Sequence, residues 1–189
     1  MPLPSLFQLA AKSVAQRIHD DNIPSDFKLD IKSSNEVVRQ LLKLDPKNIE
    51  KLKTLKNQLS RLRELNLSEC EHDVEGISDL KNFKLNSLEF GNLYDLKTEF
   101  PDPKLWYSMD IVSLLKRAVN TDSRKMMVHL GFTGEEEAFM KGWEKKVSKL
   151  FPSLQSLKII CTVFCQQNQL TNLCNSFPNL RTLDISSVL

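Results

Sequence analysis

LRELNLSEC, residues Leu62–Cys70, places apolar side chains at its first, fourth and sixth positions and polar ones between them. The spacing returns four times, in LNSLEFGNL from Leu85, MVHLGFTGE from Met127, LQSLKIICT from Leu154 and LRTLDISSV from Leu180, with Met, Phe or Ile at some apolar positions. Successive starts lie 23, 42, 27 and 26 residues apart. Self-similarity at such a period marks an array in which each unit buries its apolar face against its neighbours. The alternation within each motif predicts a short strand, with every second side chain turned inward.

Helices are expected between the strands. Ile111, Leu114, Leu115, Ala118 and Val119 form one stripe at helical spacing. Phe139, Trp143, Val147 and Leu150 form a second, stopped by Pro152, and Leu170, Leu173 and Phe177 a third before Pro178. The 42-residue interval holds an insertion around EFPDPKLWYSMD. The expected fold is therefore α/β: a leucine-rich-repeat solenoid of about five units over residues 58–189, behind a helical module over residues 1–57. The last repeat is expected to be uncapped, leaving apolar surface near Ile185, Val188 and Leu189 that would fray or self-associate.

The outward strand positions include Glu64, Asn66, Glu89, His129, Lys158 and Asp184. They are polar and of mixed sign, and are the candidate contacts for a protein client; a solvated face with no client is the alternative. Catalytic chemistry has little to use. There is no glycine-rich phosphate loop, HExxH or GxSxG, and His19, His72 and His129 fall in separate segments, so neither an enzyme nor a cofactor is expected.

A net charge of +2, from 26 basic and 24 acidic residues spread along the chain, makes no case for nucleic acid. The densest basic stretch, Lys43–Arg63, reads as solvated helix faces. Lys12, Arg17, His19 and Asp20 interrupt the first twenty residues, against a signal peptide, and no run approaches the roughly 18 apolar residues of a membrane span. A cytoplasmic or nuclear protein with reduced thiols is expected, and Cys161 and Cys165, four apart with no nearby His, are not expected to bind metal.

Ahead of the repeats, SLFQLAAKSV (Ser5–Val14) places Leu6, Leu9, Ala10, Val14 and Ile18 on one helical face. Periodicity alone leaves two readings open, a cap over the repeats or an adhesive surface. The order of residues resembles the BC box that grips elongin C: Ser5, Leu6 and Val14 match, and Ala10 stands where Cys is usual. Nine residues on, IPSDFKLDI resembles a cullin-2 box through Ile23, Pro24, Phe27 and Ile31, the two together resembling a VHL box. Phe27, Leu29 and Ile31 also alternate like a strand, and SSNE (Ser33–Glu36) reads as a capping box opening the next helix.

With SSNEVVRQLLKLDPKNIEKLK, MDIVSLLKRAVNTDSRKMMVHL, LFPSLQSLKI and LCNSFPNLRTLDISS, nearly the whole chain resembles the Zyg-eleven family of cullin-2 ubiquitin-ligase substrate receptors. The resemblance implies a non-catalytic adaptor that joins elongin C (with elongin B) and cullin-2 to a protein client. Relatives continue into an armadillo-like domain that in some members takes substrates with N-terminal glycine. Nothing in these residues corresponds to it, so a shortened paralogue or fragment is expected. The alternative is a free-standing leucine-rich-repeat binding scaffold.

Overall fold

A computed structural model describes residues 3–24, 27–70, 74–93, 96, 98–104, 108–134, 139–161 and 167–186. His72, Cys165, Val188 and Leu189 lie outside them. The five motifs form five strands: β1 (Glu64–Leu67), β2 (Ser87–Asn92), β3 (His129–Gly134), β4 (Ser156–Cys161) and β5 (Thr182–Ser186). They make one wholly parallel sheet in chain order, each strand beside its predecessor. Helices lie in every connection: α4 (Val74–Asp79), then α5 (Ile111–Ala118) and α6 (Thr121–Met126), then α7 (Trp143–Leu150), then α8 (Gln167–Ser176). The inward side chains of β1–β4, among them Leu67, Leu88, Leu130 and Leu157, are buried. On β5 the equivalents Leu183 and Ile185 are only partly buried.

One hydrogen-bond pattern recurs at each strand entry. A single carbonyl accepts the amides of two consecutive residues of the next strand: Arg63 from Asn86 and Ser87 (2.8 and 3.1 Å), Asn86 from Val128 and His129 (2.8 and 3.2 Å). Val128 does the same for Gln155 and Ser156, and Gln155 for Arg181 and Thr182. β1 has no preceding strand, yet Arg63 N and Glu64 N both donate to the side-chain Oδ1 of Asn35, at 3.0 and 3.2 Å. An amide side chain thus replaces the missing backbone carbonyl at the entry of β1, where two unpaired donors would otherwise remain.

Asn35 is carried by α2 (Ile31–Leu44), which packs against α1 (Leu6–His19) and on β1; α3 (Lys51–Thr54) follows after a short 3-10 turn. Asp30 caps α2, its carboxylate accepting from Ser33 N at 2.7 Å. That amide, followed by the Ser33 hydroxyl, holds the Asp30 carboxyl below its ordinary range. The SSNE capping box is therefore corrected: Ser33 and Ser34 lie inside the helix, because a carboxylate three residues upstream is the better acceptor at a positive helix end. The strand-like alternation of Phe27, Leu29 and Ile31 makes no strand either, since residues 27–30 are irregular and Ile31 is helical. The stripe from Phe139 is shortened for a local reason: Met140 N bonds Met109 O at 3.0 Å, and Gly142 at φ 74° stands before α7, which starts at Trp143. Phe139 still packs edge-on against Phe132 and Trp143, at 5.0 and 5.2 Å between ring centres.

Buried apolar residues form one cluster from Ala11 to Phe177, spanning the expected boundary between residues 57 and 58. No helix among the described residues is long and apolar enough to cross a membrane. The Asn35 contact predicts that Asn35→Ala costs about 1 kcal/mol of stability, because two strand amides lose their acceptor. Asn35→Asp, which keeps an oxygen in place, should cost less. Urea denaturation of both variants measures the difference, and equal losses would remove the acceptor role.

Candidate functional site

Two surfaces gather the residues marked out by sequence. The first is α1. Ser5 caps it through a reciprocal box: Gln8 N donates to Ser5 Oγ at 3.3 Å, and Ser5 N donates to Gln8 Oε1 at 2.8 Å. The small residue that opens the BC-box match therefore already has a local purpose. At the other end Lys51 Nζ donates to the carbonyls of Ile18 (3.2 Å) and His19 (2.7 Å) and pairs with Asp21 at 2.7 Å. His19 Nδ1 donates to Asn48 Oδ1 at 3.1 Å, while Asn48 Nδ2 holds Leu41 O. A cation on terminal carbonyls also suits the negative end of the helix.

So anchored, α1 turns Ala11, Ala15 and Ile18 into the core and leaves Leu6 83% and Leu9 50% exposed, with Ala10 exposed beside them. Leu3, just before the helix, is 95% exposed. The expected stripe is thus divided. Ile18 is corrected to a core residue, 2% exposed, and Val14 is half-buried against the core, because the hydrophobic face of α1 is wider than the part α2 covers. Of the second box, Pro24 is exposed and Ile31 is 48% exposed, whereas Ile23 and Phe27 pack partly onto the core.

The second surface is the outward face of the sheet. Register places Asn66, Glu89, Gly131, Lys158 and Asp184 in one row across the five strands. Glu89 is its centre: Oε2 accepts from Asn66 Nδ2 at 2.6 Å and Oε1 from Lys158 Nζ at 2.9 Å. Lys158 is two strands away, about 9.5 Å in a sheet. The intervening position is Gly131, where a Cβ would stand 2.6 Å from Glu89 Cγ, so the ion pair runs through the space that a side chain would fill. His129 Nδ1 lies 2.9 Å from Ser156 Oγ and Nε2 lies 3.6 Å from Glu89 Oε1. Serine, imidazole and carboxylate are therefore adjacent, with Glu89 also held by an amide and an ammonium.

The row borders a groove of about 650 Å³ between α2 and the sheet. Phe7, Ile31, Val38 and Leu42 give it an apolar side; Glu64, Asn66, Ser87, Glu89 and His129 give it a polar one. Five of the six expected client contacts, Glu64, Asn66, Glu89, His129 and Lys158, are thus brought together. Asp184 is exposed at the far end of the row, beyond Lys158. Sequence reasoning missed Gly131, Asn35 and the groove wall from α2, which become visible only once strands and helix are in register. Among the described residues no cluster of His, Cys, Asp or Glu could hold a metal ion. Burial, followed by the charge of Glu69, pushes the Cys70 thiol up to about 11, which suits a packing residue rather than a nucleophile.

The fold and these surfaces define a class: an α/β protein whose parallel sheet is closed at one edge by a helical pair and bears a polar groove beside it. The chain is similar to Gastrulation-defective protein 3 of Caenorhabditis elegans, 34% identical over 179 residues, an alignment covering 94% of this chain and 25% of that protein. It thus spans about a quarter of that relative's length. No protein-family model and no solved structure matches the chain.

The Gly131 opening predicts a change of sign. Gly131→Ala should destabilise the protein by about 1 kcal/mol or more through its clash with Glu89. In a Glu89→Ala background the same change should be neutral or stabilising, since no clash remains and alanine restricts the unfolded chain. Urea titration of the four proteins in this cycle measures it; equal costs in both backgrounds would show that Glu89 does not occupy the space.

Proposed function

We infer that the chain is a non-catalytic substrate-recognition adaptor of a cullin-2 RING ubiquitin ligase, cytoplasmic or nuclear. In this reading residues 1–57 are a VHL-box-like module and the five strand–helix units are leucine-rich repeats. Elongin C, with elongin B, docks on α1; cullin-2 docks beside Pro24 and Ile31; a protein client uses the outward sheet face. The resemblance to the Zyg-eleven family motivates the partners.

One observation supports the reading most: a helix anchored through Lys51, His19 and its packed face leaves Leu3, Leu6, Leu9 and Ala10 in solvent. A helix serving only as a cap needs the face of Ala11, Ala15 and Ile18, and leucines on its solvent side add nothing to that role. Contiguous apolar exposure on an ordered element is a common sign of a protein partner, and the arrangement suits helix-face recognition with anchors at i, i+3 and i+4. The groove favours a second reading, a free-standing binding scaffold with no ligase partners.

Co-purification with elongin B and C separates the two. Leu6→Ala with Leu9→Ala should abolish the complex while thermal melting stays near that of the unaltered protein; burial of one leucine supplies roughly 1.5–3 kcal/mol. Ile18→Ala should lower stability by about 2–5 kcal/mol as a core cavity. If the unaltered protein forms no complex, or the paired leucine change melts the free protein and spares binding, the adaptor reading fails and the scaffold remains.

A further inference from the structure

We propose that the groove between α2 and the sheet binds a short extended peptide segment in which a basic residue stands next to an apolar one, with Glu64 the carboxylate that selects the basic residue. The proposal rests on reading the outward sheet face as the client surface, and it does not depend on elongin or cullin.

Three carboxylates line the groove, and two are engaged. Glu36 is held by the Arg39 guanidinium at two positions and by Gln40 Nε2 at 2.8 Å. Arg39, then Gln40, keeps the Glu36 carboxyl below its ordinary range. Glu89 is held by Asn66 and Lys158. Glu64 is exposed, and its carboxylate has no ion pair or hydrogen bond among the described residues; only its backbone amide is tied, to Asn35. Of the groove's cations, Arg39 is paired with Glu36, while Lys32, its ammonium 4.6 Å from the Phe7 ring centre, keeps its positive charge at the α1 end. The charge left for a ligand on the sheet side is therefore negative and sits at Glu64, while Lys32 at the α1 end turns a cation away. Complementarity of this kind sets specificity and orientation more than affinity.

The helix side of the groove adds apolar lining from Phe7, Ile31 and Leu42 among the paired charges of α2. An extended segment sends successive side chains to opposite sides, so a ligand lying along the groove presents a basic residue to one wall and its chain neighbour to the other. Asn35 already accepts from the Arg63 and Glu64 amides, and the groove's sheet lining comes from the outward residues Glu64, Asn66, Ser87, Glu89 and His129, so the ligand lies on the face of the sheet.

Phage display of random heptapeptides against the full 189-residue protein tests this. Enrichment of Arg or Lys adjacent to an aliphatic or aromatic residue is expected. Enriched peptides, made synthetically and measured by fluorescence polarisation, should bind Glu64→Gln at least tenfold more weakly, and Phe7→Ala more weakly as well. Glu75→Gln, an exposed carboxylate on α4, should leave binding unchanged. No enrichment, enrichment without a basic residue, or equal affinity for the unaltered and Glu64→Gln proteins would overturn the proposal. Because elongin B and C are absent, failure here is distinct from failure of the ligase reading, which co-purification alone decides.

Discussion

Each strand of the sheet is positioned by one oxygen that accepts two amide protons, and the geometry of the whole array follows from repeating that contact. The carbonyl fixes where the next strand starts, which in turn fixes the row of outward residues and the layer of inward leucines. An array built this way has a difficulty at its first member, where the oxygen has no strand to come from. Asn35 resolves it. Its amide must reach β1 from a helix, so α2 has to lie across the sheet edge at one height and rotation. The groove is a by-product of that placement: the helix that supplies the oxygen also supplies the wall facing Glu64 and Glu89.

The same helix determines what α1 can do. α2 buries only one side of α1, and Lys51 locks the end of α1 by gathering two carbonyls and Asp21. The first two turns then keep Ala11 in the core and leave Leu6 and Leu9 exposed on the far side. The exposed face of α1 and the groove meet near Phe7, whose ring carries Lys32 and borders the groove while Leu6 beside it faces water. The molecule presents two kinds of surface within a few residues, an exposed apolar one on α1 and a charged one in the groove.

What could be read in the sequence was whatever repeats or alternates locally. Leu65, Leu88, Leu130 and Leu157 announce strands because a period of two survives without long-range information, and the outward polar positions follow from it. Ile18 and Leu6 sit at the two margins of the apolar stripe of α1, about 120° apart at 100° per residue. Ile18 turns with Ala11 and Ala15 into the core and Leu6 turns to solvent, and the stripe alone does not show which margin α2 covers. Asn35 bonds residues 28 and 29 positions away, and Glu89 pairs with Lys158 across 69. Neither carries a local signal. The cap of α2 was misread because two acceptable capping residues lie one turn apart, and the choice between them is electrostatic.

The direction of the oxygen contacts bears on how the chain reaches its fold. Asn35 precedes Arg63 and Glu64, Arg63 precedes Asn86, and the order never reverses up to Gln155 and Thr182. Every strand therefore finds its acceptor in chain already made. Pairing joins only strands that neighbour one another in sequence, so a chain that folds as it is synthesised could add each strand to a template already made. The array of contacts is thus polar, each acceptor standing N-terminal to the strand it places.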